Sequence, residues 1–147
     1  MISKNEVLNS GVIPYEALKN KIMANLRVAT FGRVISFNSE RGTVDVQPSI
    51  KERISTPDGI REVDIPLITN APVFFMGGAT FTPQENDLCL LIHVDRSLQE
   101  VIANYDTTNP ETIKTYGQGS SSRKHDLSDV VAFVGFFSYK QASEVEF

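Results

Sequence analysis

The stretch Leu88–Val94, LCLLIHV, constrains the fold more than any other part of the chain. Every residue except His93 is apolar, so an extended segment here carries apolar side chains on both faces. Such a strand lies in the middle of a sheet or is covered on both sides. His93 falls out of phase with Leu88, Leu90, Ile92 and Val94, which favours a hydrogen-bonded structural histidine over a reactive one.

Elsewhere the pattern is that of strands with one wet face. Arg27 to Phe37, RVATFGRVISF, is rich in β-branched and aromatic residues, and Ser39–Gly42 reads as a turn closing in glycine. In TVDVQP, Val44 and Val46 share one face and Thr43, Asp45 and Gln47 the other. Thr56–Gly59, TPDG, is a second turn, followed by alternation of Val63, Ile65 and Leu67 with Glu62, Asp64 and Pro66. This spacing predicts that the second and third strands form one hairpin, reaching over Lys51 to Arg61. Pro48 and Pro66 belong at strand ends or edges, because proline cannot donate to a ladder. VVAFVGFF supplies the last strand, and YKQASEVEF carries no strong signal.

Two segments follow a helical period instead. Ser3 and Glu6 have capping-box spacing, and Pro14 is placed to open a second helix. From there Tyr15, Leu18, Ile22 and Leu26 form one stripe, with Glu16, Lys19, Asn20 and Lys21 largely away from it. That stripe must lie on something apolar. Arg96 to Tyr105 repeats the period through Leu98, Val101 and Ile102.

Short strands, coiled hairpins and a helix between two strands suit a mainly all-β architecture. The fitting form is an OB-fold Greek-key β-barrel with an N-terminal α-helix and a short additional helix. A β-sandwich satisfies the same periodicities. The expected organisation is a helical segment at 1–26 for docking or oligomerisation, the barrel at 27–137 and a tail at 138–147.

The residue inventory narrows the functions. Of 147 residues, 41% are hydrophobic and 22% charged, the proportions of a folded chain. A net charge of −4 without a lysine or arginine cluster argues against nucleic-acid binding. No segment has the length and apolarity of a membrane span or a signal peptide, so the chain is expected to be made in the cytosol and to stay soluble there until assembly. The single cysteine, Cys89, lies inside the apolar run as a small hydrophobe. With no tryptophan and nine phenylalanines, core and interfaces are expected to rest on phenylalanine.

Chemistry-bearing clusters are sparse. His125 lies near Asp126 and Asp129, but the chain has no H-E-x-x-H, C-x-x-C or G-x-S-x-G pattern and no second histidine at metal-ligand spacing. HDLSD can instead satisfy its own backbone through Asp and Ser side chains while Leu127 anchors the strand that follows. Glu62 and Asp64 share a solvent face, and MGGATF is not a phosphate cradle. No catalytic residue, metal ligand or cofactor is expected. The unusual feature is PVFFMGGATFTP, in which Phe74, Phe75, Met76 and Phe81 sit in a loop broken by Gly77 and Gly78. That loop either folds back over the barrel or packs on another subunit.

The order of segments is itself informative. Val46-Gln47-Pro48, Pro72-Val73, Gly77-Gly78, Pro83, Asp87, Asp95-Arg96-Ser97-Leu98 and His125-Asp126-Leu127-Ser128-Asp129 before Gly135 occur in a series that resembles the N-terminal region of the Gp138 family of phage membrane-puncturing spikes. The resemblance runs from about Arg27 to Phe137. It implies an OB-fold domain forming a homotrimer at a phage tail tip, closing the tail tube and joined to the baseplate hub. Gly77, Gly78, Asp87, Asp95, Arg96, His125, Asp126, Leu127, Ser128 and Asp129 would be structural signature positions. Tyr15, Leu18, Ile22, Leu26, Phe74, Phe75, Met76 and Phe81 would be candidates for oligomer or hub contacts.

Two departures stand out. Asn86-Asp87 replaces the family's Gly-Asp, and the chain ends at Phe147 without the histidine-tipped β-helix of such spikes. The expectation is therefore a short spike or plug, with any point carried by a separate tip protein and host-envelope contact left open. The alternative is an OB-type binding module for nucleic acid or glycan.

Overall fold

The computed structural model describes residues 14–23, 26–117 and 124–145. A helix over residues 14–23 (α1) precedes β1 (Ala29–Asn38), β2 (Thr43–Pro48), β3 (Lys51–Thr56), β4 (Gly59–Asp64), β5 (Ile68–Pro72) and β6 (Leu88–His93). After these come α2 (Gln99–Asn104), β7 (Val130–Val134) and α3 (Tyr139–Ala142).

Five strands form one antiparallel sheet in the order β5, β2, β1, β6, β7. The sheet curls until its outer strands meet. Val73, just past β5, forms a parallel bridge with Ala132 in β7, and the Phe74 N–H donates to the Ala132 carbonyl at 2.9 Å. A single sheet closing on itself is an OB-like all-β fold and rules out two facing layers. The doubly apolar segment becomes β6, a central strand between β1 and β7.

Curling rests on two local devices. The β1–β2 register shifts between Val34 and Ser36, a bulge that sharpens the bend. Gly32 permits the tight approach next to it: a Cβ there would stand 2.6 Å from Val46 Cγ1 and 2.8 Å from the Gln47 carbonyl oxygen. At the end of that bend Asn86 takes a left-handed φ of 70°, a conformation asparagine tolerates better than most residues. Its N–H and the Asp87 carbonyl bond to Val34 at 2.8 and 2.9 Å.

The interior is aliphatic. Val34, Val44, Val46, Ile68, Ala71, Cys89, Leu91, Val130 and Ala132 are fully enclosed, and Phe37, Phe75, Leu127 and Val134 pack against them from the periphery. The expectation of a phenylalanine core is corrected: the fully buried cluster holds none among the described residues, because a five-stranded barrel is too narrow for several rings.

The hairpin expected over Lys51 to Arg61 is present, turning at Thr56–Gly59, but it is not one hairpin continuous with β2. β2 ends at Pro48 and takes β5 as its second neighbour, whereas β3 and β4 pair only with each other in a separate two-stranded sheet. Lys51–Asp64 (3.9 Å) and Arg53–Glu62 (3.5 Å) cross this exposed ribbon. The described part of α1 includes Pro14, while the start of that helix and the Ser3/Glu6 box lie outside the described residues. A capping box between Ser138 and Gln141 opens α3, an S-x-x-Q signal present in the tail.

Candidate interaction surface

Alternation along β1, β6 and β7 sends Val34, Cys89, Leu91, Val130 and Ala132 into the barrel. The intervening residues point outward, and cross-strand pairing aligns them into rows: Phe31 opposite Leu90 opposite Phe133, and Ala29 opposite Ile92 opposite Val131. Phe74 extends the first row, stacking on Phe133 with ring centroids 4.7 Å apart. No described element lies over these rows. Phe31 and Phe74 each retain 47% exposure and Ile92 37%, a contiguous apolar flank on the outside of a small barrel.

α1 is exposed along its whole length. Tyr15, Leu18, Ile22 and Leu26 all remain open, joined by Met23. Among the described residues nothing covers their stripe.

The aromatic loop divides its side chains between two places. Phe75 turns inward against the core and meets Phe81 edge-on at 5.3 Å, so this pair caps one barrel end. Phe74 goes to the outer flank. Met76 is 76% exposed at the tip, where Gly77 and Gly78 both adopt left-handed φ.

The HDLSD segment is a backbone clamp. The Asp126 carboxylate accepts from the Ser128 N–H and hydroxyl at 2.9 and 2.6 Å, and the Asp129 carbonyl accepts the Val94 N–H at 2.9 Å. The buried Asp129 carboxylate takes the Leu98 N–H at 3.3 Å, tying α2 to the barrel, while Leu127 packs on the core. His125 Nδ1 donates to the Arg27 carbonyl at 3.1 Å, and its own N–H reaches the Asp95 carbonyl at 3.3 Å. Arg96 bonds back to Asp95, and Asp87 caps its own turn through the Gln84 N–H at 2.9 Å. These positions are brought to the barrel rim but not into one cluster.

Two buried groups have shifted acidities. Burial pushes the Cys89 thiol up to about 11, so it stays protonated. Burial, then the nearby Arg27 charge, lowers the His93 pKa from its ordinary 6.5. Neither His93 ring nitrogen makes a hydrogen bond of good geometry among the described residues, although the Val28 carbonyl is close enough to favour the charged form slightly. The expected hydrogen-bonded histidine is thus a buried, neutral one. Among the described residues no three His, Cys, Asp or Glu side chains stand together with metal-binding geometry.

A groove of about 840 Å³ lies between α2 and the β2–β5 side, with Thr43 and Asp129 at its floor and Arg41, Asn70, Gln99 and Ile102 among its walls. Sequence reasoning missed it. Thr43 was placed on the wet face of β2, yet it is 4% exposed because α2 and the HDLSD clamp close over that end.

An OB-like barrel with an uncovered apolar flank belongs to the class of domains that assemble with other copies or other proteins. The family model described as the phage protein Gp138 N-terminal domain matches residues 31–135, more than two thirds of the chain, and the chain belongs to that family. It is a phage protein, and the family points to a structural role in the virion with virion proteins as partners. No curated protein matches the sequence.

Proposed function

We propose that the chain is a structural subunit of a phage tail tip, a homotrimeric spike or plug that closes the tail tube and attaches to the baseplate hub. The observation that carries this reading is the apolar flank of β1, β6 and β7, left open by a barrel that has already filled its own interior. Residues 27–137 act as the barrel unit, 1–26 as the docking segment and 138–147 as a tail. The role is non-enzymatic and needs no cofactor: His125, Asp126 and Asp129 are engaged in holding backbone. A separate tip protein and the host envelope are further contacts of such a particle. No described helix is long and apolar enough to cross a membrane.

The groove does not favour the binding-module alternative. Its described lining offers one cation, Arg41, beside the Asp129 carboxylate and no aromatic ring on which a base or sugar could stack.

Light scattering over a dilution series tests the proposal. The expected result is three times the 16.3 kDa chain mass, with co-purification of the hub. A monomer that also ignores the hub overturns it.

A further inference from the structure

Two apolar surfaces of this chain are open at once among the described residues. The Leu26 N–H bonds to the Ile22 carbonyl at 2.9 Å. The next two residues are already held by the barrel: His125 Nδ1 donates to the Arg27 carbonyl at 3.1 Å, and the Val28 carbonyl accepts the His93 N–H at 2.9 Å. In the described structure the stripe of Tyr15, Leu18, Ile22, Met23 and Leu26 does not lie on its own flank, for both it and Phe31, Phe74 and Ile92 stay exposed.

We infer that the helix of one copy lies across the β1–β6–β7 flank of a second copy, its stripe covering Phe31, Leu90, Ile92, Phe133 and Phe74. The inference rests on the self-assembling reading above and specifies the surface that reading uses. The dimensions agree. Residues 14–23 in helical form span about 15 Å, and three strands with the Phe74 ring beside them span roughly 15 to 20 Å. Covering both surfaces removes on the order of 1,000 Å² from water, the size at which a specific interface begins. The occupant is always present in equal number, because each copy carries one helix and one flank. Such a contact is heterologous, since the two sides differ, and repeating it around an axis closes a ring. Every stripe is then covered without any chain folding back on itself.

Cysteine pairing between differently marked copies tests this. Leu18→Cys protein is mixed with Leu90→Cys protein, refolded together and oxidised, with Leu18→Cys mixed with Ile60→Cys as the control. Cys89 stays in place, because its buried thiol does not compete. The expected result is an 18-to-90 cross-link between chains, absent from the control, in an oligomer of unchanged mass. A second variant, Leu18→Asp, changes an already exposed side chain and should leave the barrel's thermal transition in place while shifting the mass to monomer. An oligomer that cross-links helix to helix through Leu18→Cys, and not to position 90, overturns the inference while leaving self-assembly standing. An oligomer whose mass is indifferent to Leu18→Asp does the same. A monomer at every concentration overturns both.

Discussion

The barrel has two outer flanks of opposite character. On the β2–β5 side Asp45 accepts from the Ser36 hydroxyl and from the N–H of Asn70, at 3.1 and 3.0 Å, and Gln47 donates to the Ile65 carbonyl at 2.8 Å. These Asp45 and Gln47 groups are satisfied by their own chain. On the β1–β6–β7 side Phe31, Leu88, Leu90, Ile92, Val131 and Phe133 point outward and gain nothing from water, with Arg33 the charged residue at the Leu88 end of the face. A flank that is polar and locally bonded is finished as it stands. One that is apolar and bare is finished by something else.

The sharpest way to test that contrast is to truncate two neighbours on one strand. Leu91→Ala, inside the barrel, should cost about 2 to 5 kcal/mol in urea unfolding of the dilute protein. Leu90→Ala, one residue away and outside, should cost less than about 1 kcal/mol while weakening self-association. Equal losses would mean that the outer flank is part of the barrel's own core. Next in size, Gly32→Ala should destabilise by about 1 to 3 kcal/mol, because its Cβ would press on Val46 and on the backbone of Gln47, which cannot yield cheaply. Asp45→Ala should cost about 1 kcal/mol through its lost hydrogen bonds and leave the oligomer mass unchanged, as a finished flank requires.

The smallest effect is a slope in pH. His93 is held neutral by burial and by Arg27, with His125 acting the same way and Asp126 opposing. Its folded pKa lies below the unfolded value of about 6.5, so the unfolded chain binds more protons in the interval between them. The stability that neutral His93 contributes is full above about pH 6.5 and falls as the solution is acidified through that interval. Urea midpoints measured across it should drop toward low pH in the native protein and flatten in His93→Leu. Parallel profiles for the two proteins would remove His93 from the account.

Much of this fold was legible residue by residue. The alternation of Val44 and Val46 and the turns at Gly42 and Gly59 express local chemistry, and the structure keeps them. The central place of β6 was legible because an apolar run has few other uses. Choice of partner was harder to read. Alternation states which face of a strand is wet but not which strand lies beside it, so β4 was merged with the barrel and β5 overlooked as the neighbour of β2. The apolar flank escaped notice for a similar reason. Phe31, Leu90, Phe133 and Phe74 are neighbours only after β1, β6 and β7 have paired, and each alone reads as an ordinary strand residue. Thr43 shows the converse, a polar residue on a nominally wet face that distant segments bury.

The junction between Val73 and Ala132 has a consequence in time. It joins segments far apart in the chain by one parallel bridge and one N–H···O bond, while the antiparallel pairs beside it are joined by whole ladders. Contacts of long sequence separation and few bonds form late and open early. In native-state hydrogen exchange the Phe74 amide should therefore exchange ahead of that of Leu91, and equal protection would show that the sheet opens all at once. A newly made chain passes through an interval as an unrolled sheet, in which Phe74 has not yet been brought beside Phe133. The outer aromatic row is completed only when the roll closes, so a partner that grips that row selects chains that have finished folding.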